Sequence, residues 1–233
     1  LTEPREVESV IGACLMAQPE LVADGVKAMR DATLLPVTVK HRIGIDDMDS
    51  YEQMLDFVGP VADAGCEVFI VHARKAWLKG LSPKENREIP PLVYDWVYRL
   101  KRDLPDLEIV INGGIQTIED CEDHLAHVDG VMIGREAYQN PWMLAEVDSR
   151  LFGIDKVAES RDDVLLGLLP YVEQQLALGT HLNHITRHIL GLYQGVPGAR
   201  KFRRHLSENA YKKDAGLNVL IDAFEKVRQA TPA

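Results

Sequence analysis

Ile109-Val-Ile-Asn112-Gly-Gly-Ile115 and Val131-Met-Ile-Gly-Arg135 bracket a polar, helix-prone stretch at 117–125. Each apolar run is short, wholly hydrophobic, and followed at once by glycine or a polar residue. Such runs fit buried parallel strands, and the stretch between them fits the helix that carries the chain from one parallel strand to the next. Strand, glycine turn, helix, strand, glycine turn is the repeat of an α/β protein.

Working outward, the same alternation continues toward the N-terminus. Residues 12–32 read as a helix, with Leu15, Leu21, Val22, Val26 and Met29 near helical spacing. Pro36 opens a strand-like run, Val37-Thr-Val-Lys40. Asp49 or Ser50 is placed to cap a helix over 51–64 that Gly65 ends. Val68-Phe-Ile-Val71 forms a strand stopping at His72, and a polar loop over 73–90 leads to a helix at 91–103. The four strands are expected to be buried on both faces. A doubly wound sheet and a (β/α)8 barrel both accommodate the pattern, and in either the active site lies at the C-terminal ends of the strands, here Lys40, His72, Asn112 and Gly134. Beyond residue 160 no strand pattern occurs. Helices near 161–178, 181–193, 199–210 and 216–229, punctuated by Gly195-Val-Pro-Gly198, suggest a small helical bundle.

Charge is distributed unevenly. The formal net charge is −10, yet residues 161–233 carry 10 Lys and Arg against 7 Asp and Glu, and 180–213 carry 7 against 1, with four histidines besides. A basic stripe on an acidic chain is a local footprint for phosphate. No run of eighteen apolar residues is present, so no membrane span is expected. The acidic segment Leu1 to Val10 lacks the layout of a secretory signal. Cys14, Cys66 and Cys121 have neither metal-ligand nor disulfide spacing, which points to a reducing cytoplasm and to no metal.

Glycines at Asn112-Gly-Gly and Gly134-Arg135 let backbone N–H groups approach a phosphate; tight βα turns are the plainer alternative. Lys40 offers a cation that would stabilise an anionic flavin or an enolate, or is a lysine snorkelling at a strand end. His72 is open to a functional or a packing role. The loop from His72 to Arg87 holds five Lys and Arg and one acid around Trp77, suited to phosphates and a splayed base, or to plain solvation. Arg200, Arg203 and Arg204 share a helix face that would grip a sugar-phosphate backbone.

Val-Lys-His-Arg-Ile-Gly44, Val-His-Ala-Arg74, Ile-Asn-Gly-Gly-Ile115, Met-Ile-Gly-Arg135 and His-Ile-Thr-Arg-His-Ile-Leu-Gly191 with Pro-Gly-Ala-Arg200 resemble the bacterial A-type tRNA-dihydrouridine synthases, from about Gly12 nearly to the C-terminus. The resemblance implies the C-terminal half of an FMN-binding TIM barrel over 1–157, followed by an all-α helical tRNA-binding domain over 158–233. It implies reduction of D-loop uridines at positions 20 and 20a of tRNA, with NADPH reducing the flavin. It assigns Lys40, His72, Asn112, Gly113, Gly114, Gly134 and Arg135 to FMN, and Lys84, Arg87, Arg200 and Arg203 to tRNA.

The family's acid is a cysteine in a Gly-Cys-Pro-Ser motif. Counting back from the Gly-Ala-Cys-Leu-Met element at 12–16, the resemblance places it at or before about Leu1, and Leu1 to Ile11 do not match that motif; Cys14 belongs to the helix that follows. No catalytic residue is therefore assigned on this chain. The four strands read here correspond to the family's last four, so an uncovered sheet face and an inactive or impaired fragment are expected. The alternatives are a non-catalytic tRNA-binding remnant and a different phosphate-binding or FMN-binding barrel oxidoreductase.

Overall fold

A computed structural model describes residues 12–155 and 160–230. The chain divides into two compact units, Leu1–Ile133 and Gly134–Ala233.

The first unit is a four-stranded parallel sheet in the order β1-β2-β3-β4: Thr38–Arg42, Val68–His72, Glu108–Asn112 and Gly130–Met132. A 3-10 turn, Gly12–Ala17, precedes helix α1, Pro19–Ala32. The single helix expected over 12–32 is thus broken at Gln18, because Pro19 lacks an N–H and is suited to a first turn. Helix α2, Tyr51–Asp63, begins at Ser50, whose hydroxyl accepts from the Gln53 N–H while Gln53 Oε1 accepts from the Ser50 N–H. This reciprocal cap decides between Asp49 and Ser50. Helix α3 spans Tyr94–Asp103, starting later than expected after Pro90-Pro91. Helix α4, Ile118–Leu125, is capped by Thr117 with Asp120 in the same reciprocal manner.

Register fixes the two faces. His41, Val71, Ile111 and Val131 lie side by side, and so do Arg42, His72, Asn112 and Met132. Alternate residues point to opposite faces. Phe69, Val71, Ile109 and Ile111 are buried under Met54, Phe57, Val58 and Val61 of α2, Val97 and Leu100 of α3 and Cys121 of α4, all at or near zero exposure. Burial of both faces is not observed: the row through Ile70, Val110 and Gly130 is half-exposed and Lys40 is exposed, because no described helix of this unit covers that side.

The second unit is helical: α5 Arg135–Gln139, α6 Val147–Leu151, α7 Arg161–Ala177, α8 Leu182–Thr186, α9 Ala199–Asn209 and α10 Leu217–Arg228. Leu165, Val172, Leu182, Tyr193, Phe202, Leu206, Leu220 and Phe224 form its core. The helix expected over 181–193 stops at Thr186. Residues beyond it form turns closed by i→i+3 bonds such as His188 N–H to the Ile185 carbonyl, and Arg161 donates to the carbonyls of Leu192 and Gln194, at 2.5 and 3.1 Å. Gly198 (φ +87) lets α9 start against α10, where a Cβ would sit 2.8 Å from Val227 Cα. No described helix is long and apolar enough to cross a membrane.

Candidate functional site

The open face of the sheet carries the polar residues. Strand β1 runs on to Arg42, so Lys40 stands in mid-strand and not at its end as expected. Its Nζ donates to Asn112 Oδ1 at 3.1 Å, and Asn112 Nδ2 donates to the Met132 carbonyl at 2.7 Å. The two bonds use both ends of the amide and fix its orientation. Partial desolvation, and then the charge of Arg42, pull the Lys40 amine below the ordinary lysine range. His72 and Asn112 end β2 and β3 and are register neighbours.

A cavity of about 630 Å³ is lined by Lys40, Arg42, His72, Arg87 and Asn112 together with Leu15, Met16, Val22 and Phe57. An apolar wall with a few convergent polar groups is the usual make-up of a small-molecule site. Gly113 (φ +119) and Gly114 (φ +75) follow Asn112 in a backbone conformation that favours glycine. A Cβ on Gly113 would lie 2.6 Å from His72 Cδ2, and one on Gly114 2.6 Å from Leu92 Cδ1. His72 and Leu92 fill the space beside the turn, so neither glycine has room for a Cβ; Gly113 is buried and Gly114 exposed. A glycine turn of this kind suits a phosphate through its N–H groups.

Arg42 was not among the expected site residues. Its Nη1 donates to the carbonyls of Lys75 and Asn86, at 2.7 and 2.8 Å, tying the sheet to the basic loop. Burial, followed by the charges of Arg87 and Arg74, lowers its pKa. Asn86 in turn accepts from the Trp77 N–H and donates to the Trp77 carbonyl, at 2.8 and 2.9 Å. Arg74 donates to the carbonyls of Glu88 and Pro90, and Lys75 pairs with Asp49. Trp77, Leu78, Lys79 and Lys84 remain exposed on this braced loop. A lone arginine at a strand end gives little signal; its motif, Val-Lys-His-Arg-Ile-Gly44, did.

His41, between Lys40 and Arg42, points the other way. It is buried, tilted on Phe57 and edge-on to Phe69, with ring centroids 5.1 and 5.8 Å away. Nδ1 lies 2.7 Å from the Arg42 carbonyl and so carries the proton, while Nε2 has no partner among the described residues. Desolvation drives its pKa down to about 4.

Gly134 and Arg135 open the second unit at the start of α5; a Cβ on Gly134 would meet nothing within 4 Å. On α9, Arg200 is exposed, Arg203 donates to Gln194 Oε1 at 3.1 Å, and Arg204 pairs with Glu208 at 2.7 Å. Arg203, Arg187, Gln194 and Tyr138 line a groove of about 350 Å³. Arg187 lies in the motif read from sequence but received no role there. Among the described residues no group of His, Cys, Asp and Glu is placed to hold a metal. The position of the expected cysteine, about Leu1, lies outside the described residues.

A family profile described as "Dihydrouridine synthase (Dus)" matches residues 4–228. The chain is 58% identical over 217 residues to a tRNA-dihydrouridine(20/20a) synthase of Vibrio cholerae, covering 93% of this chain and 66% of that protein. It is 60% identical over 217 residues to the protein of the same name from Shewanella oneidensis, covering 93% and 65%. The counterpart from Escherichia coli K12 is 58% identical over 224 residues, covering 96% and 65%. The chain thus spans about two thirds of the length of these curated relatives.

Proposed function

Because the chain belongs to the dihydrouridine synthase family, we propose that it serves the flavin-dependent reduction of uridine to 5,6-dihydrouridine at positions 20 and 20a of tRNA, with NADPH as reductant. The single observation that carries this is the identity of 58% to 60% to proteins named for that reaction. The cavity at the β1 side of the sheet, where Lys40, His72 and Asn112 meet an apolar wall, supports it.

The residues fit FMN. Lys40, His72 and Asn112, which line the cavity, would hold the cofactor, with the turn at Gly113 and Gly114 that follows Asn112 receiving its phosphate. FMN, when bound, supplies the hydride chemistry. Lys40 contributes a positive charge near a group whose reduced form is an anion. Asn112 fixes that charge through its Oδ1 and is itself anchored on Met132. Leu15, Met16, Val22 and Phe57 give the cavity an apolar wall against which a ring system would pack. Gly134 and Arg135 carry the same assignment by resemblance, and their substitution tests it separately.

Lys84 and Arg87, on the loop braced by Arg42 and Asn86, and Arg200 and Arg203 on α9 form the proposed contacts to tRNA. Phosphate contacts from Lys and Arg position the nucleic acid, and an exposed Trp77 suits stacking on an unpaired base. On this reading residues 1–157 are the FMN-binding C-terminal half of a TIM barrel and 158–233 the helical tRNA-binding domain. No proton donor is assigned within the described residues.

The test is mass spectrometry of nucleosides from unmodified tRNA incubated with the chain, FMN and NADPH. Retained flavin, with dihydrouridine at positions 20 and 20a formed at an impaired rate and dependent on Asn112, is the expected result. Binding of tRNA with no flavin retention and no product would support the non-catalytic tRNA-binding reading instead.

A further inference from the structure

We infer that Tyr94 is a positioning residue for the glycine turn, acting on the cofactor's phosphate and not on its ring system. The inference rests on the FMN reading above. Tyr94 opens α3, outside the cavity, and nothing in the sequence singles it out.

A Gly-Gly pair is the least self-restraining backbone available, so its shape must be imposed from outside. His72 bounds one side of the turn. On the other, the Tyr94 hydroxyl donates to the Gly113 carbonyl at 2.8 Å and stands 2.9 Å from where a Gly114 Cβ would be. The Tyr94 ring is itself held edge-on against buried His124, at 4.5 Å between centroids, and His124 Nδ1 lies 2.7 Å from the Tyr98 hydroxyl. The position of the Tyr94 hydroxyl is therefore set by packing before any ligand arrives.

The consequence follows from peptide geometry. The bond between Gly113 and Gly114 is trans, so its N–H points opposite to its carbonyl. With the Gly113 carbonyl committed to Tyr94, the Gly114 N–H is turned away from α3. One hydroxyl thus sets the direction of an amide dipole that a phosphate would read. Without it, the peptide is free to rotate between the two glycines.

Riboflavin, which lacks the phosphate, separates this role from general stability. The measurement is fluorescence titration of the full chain with FMN and with riboflavin. The wild type is expected to prefer FMN. Tyr94→Phe should weaken FMN about fivefold to tenfold, the effect of one lost hydrogen bond, and change riboflavin less than about twofold. Gly114→Ala should show the same phosphate-selective loss, whereas Tyr51→Phe, whose hydroxyl bonds Asp103 and takes no part in holding the turn, should keep the wild-type ratio. Tyr94→Phe that leaves the ratio unchanged, by affecting neither ligand or both alike, overturns the inference. Should that variant not fold, a Gly114→Ala loss equal for both ligands overturns it. A wild type that does not prefer FMN fails the phosphate reading itself, and the inference with it.

Discussion

Lys40 and Asn112 meet by a 3.1 Å hydrogen bond that reaches from β1 to β3 across the strand between them. The same asparagine amide is anchored on the Met132 carbonyl of β4, so one side chain links a cation on one edge strand to the backbone of the other. Asn112→Leu removes both bonds at nearly constant volume and leaves a half-buried carbonyl unpaired. A loss of about 1–2 kcal/mol in urea unfolding is expected, together with loss of FMN retention.

Arg42 grips the basic loop by two backbone carbonyls. Lysine keeps the charge but lacks the planar, multi-donor head. Arg42→Lys is expected to speed amide hydrogen exchange over 75–88 and to weaken tRNA binding, leaving exchange in β2 and β3 unchanged. Unaltered protection of the loop would show that Asn86 alone suffices.

His41 makes stability depend on pH. Its pKa is about 4 in the folded chain against an ordinary 6.5. Between those values the unfolded chain binds the extra proton, so stability rises with pH across the window and is lost as pH falls from 6.5 toward 4. The ring faces Phe57 and Phe69, with Lys40 the charged neighbour that adds to the shift. The full effect is roughly 3 kcal/mol. Unfolding midpoints of wild type and His41→Leu measured from pH 7 to pH 4 should diverge in slope, with the wild type losing more.

Gly191 shows a requirement of space rather than of φ. A Cβ there would lie 2.1 Å from the Gln139 carbonyl oxygen. Backbone cannot yield as a flexible side chain does, so Gly191→Ala should destabilise the second unit by about 2–4 kcal/mol, read as a lower thermal midpoint for the signals of Tyr193 and Phe202.

The tRNA proposal predicts a salt signature. Arg200→Ala and Arg203→Ala should each lower affinity for unmodified tRNA and reduce the slope of log K against log salt by about one. Arg204→Ala should do less, since Glu208 already neutralises Arg204. Equal effects of all three would point to bulk charge in place of specific contacts.

The four strands and most helix positions were legible in the sequence because apolar runs such as Val68-Phe-Ile-Val71 and capping residues such as Thr117 act locally; strand order was not, since a doubly wound sheet and a barrel fit the same pattern. The limits of helix α8 were not: it stops at Thr186, and the turns that follow are braced by Arg161, remote in sequence, through the Leu192 carbonyl. Lys40, His72, Asn112 and Arg87 were readable as site residues and do line one cavity. Lys84 lies outside that lining, and Gly134 and Arg135 belong to the second unit. Arg42 and Tyr94 escaped notice because their roles depend on backbone carbonyls, Lys75, Asn86 and Gly113, which carry no sequence signal. Strand composition misread the half-exposed sheet face as buried, since isoleucine and valine occupy both faces whether or not helices cover them, whereas the half-barrel resemblance led to the uncovered face that is observed.

The most direct measurement is the visible absorption spectrum of the chain after addition of FMN and desalting, alongside Asn112→Leu. Flavin bands at about one FMN per chain in the wild type, and their loss in the variant, are the predicted result. A wild type that emerges colourless, or an Asn112→Leu variant that retains as much flavin, would contradict the assignment of this sheet face as the cofactor site.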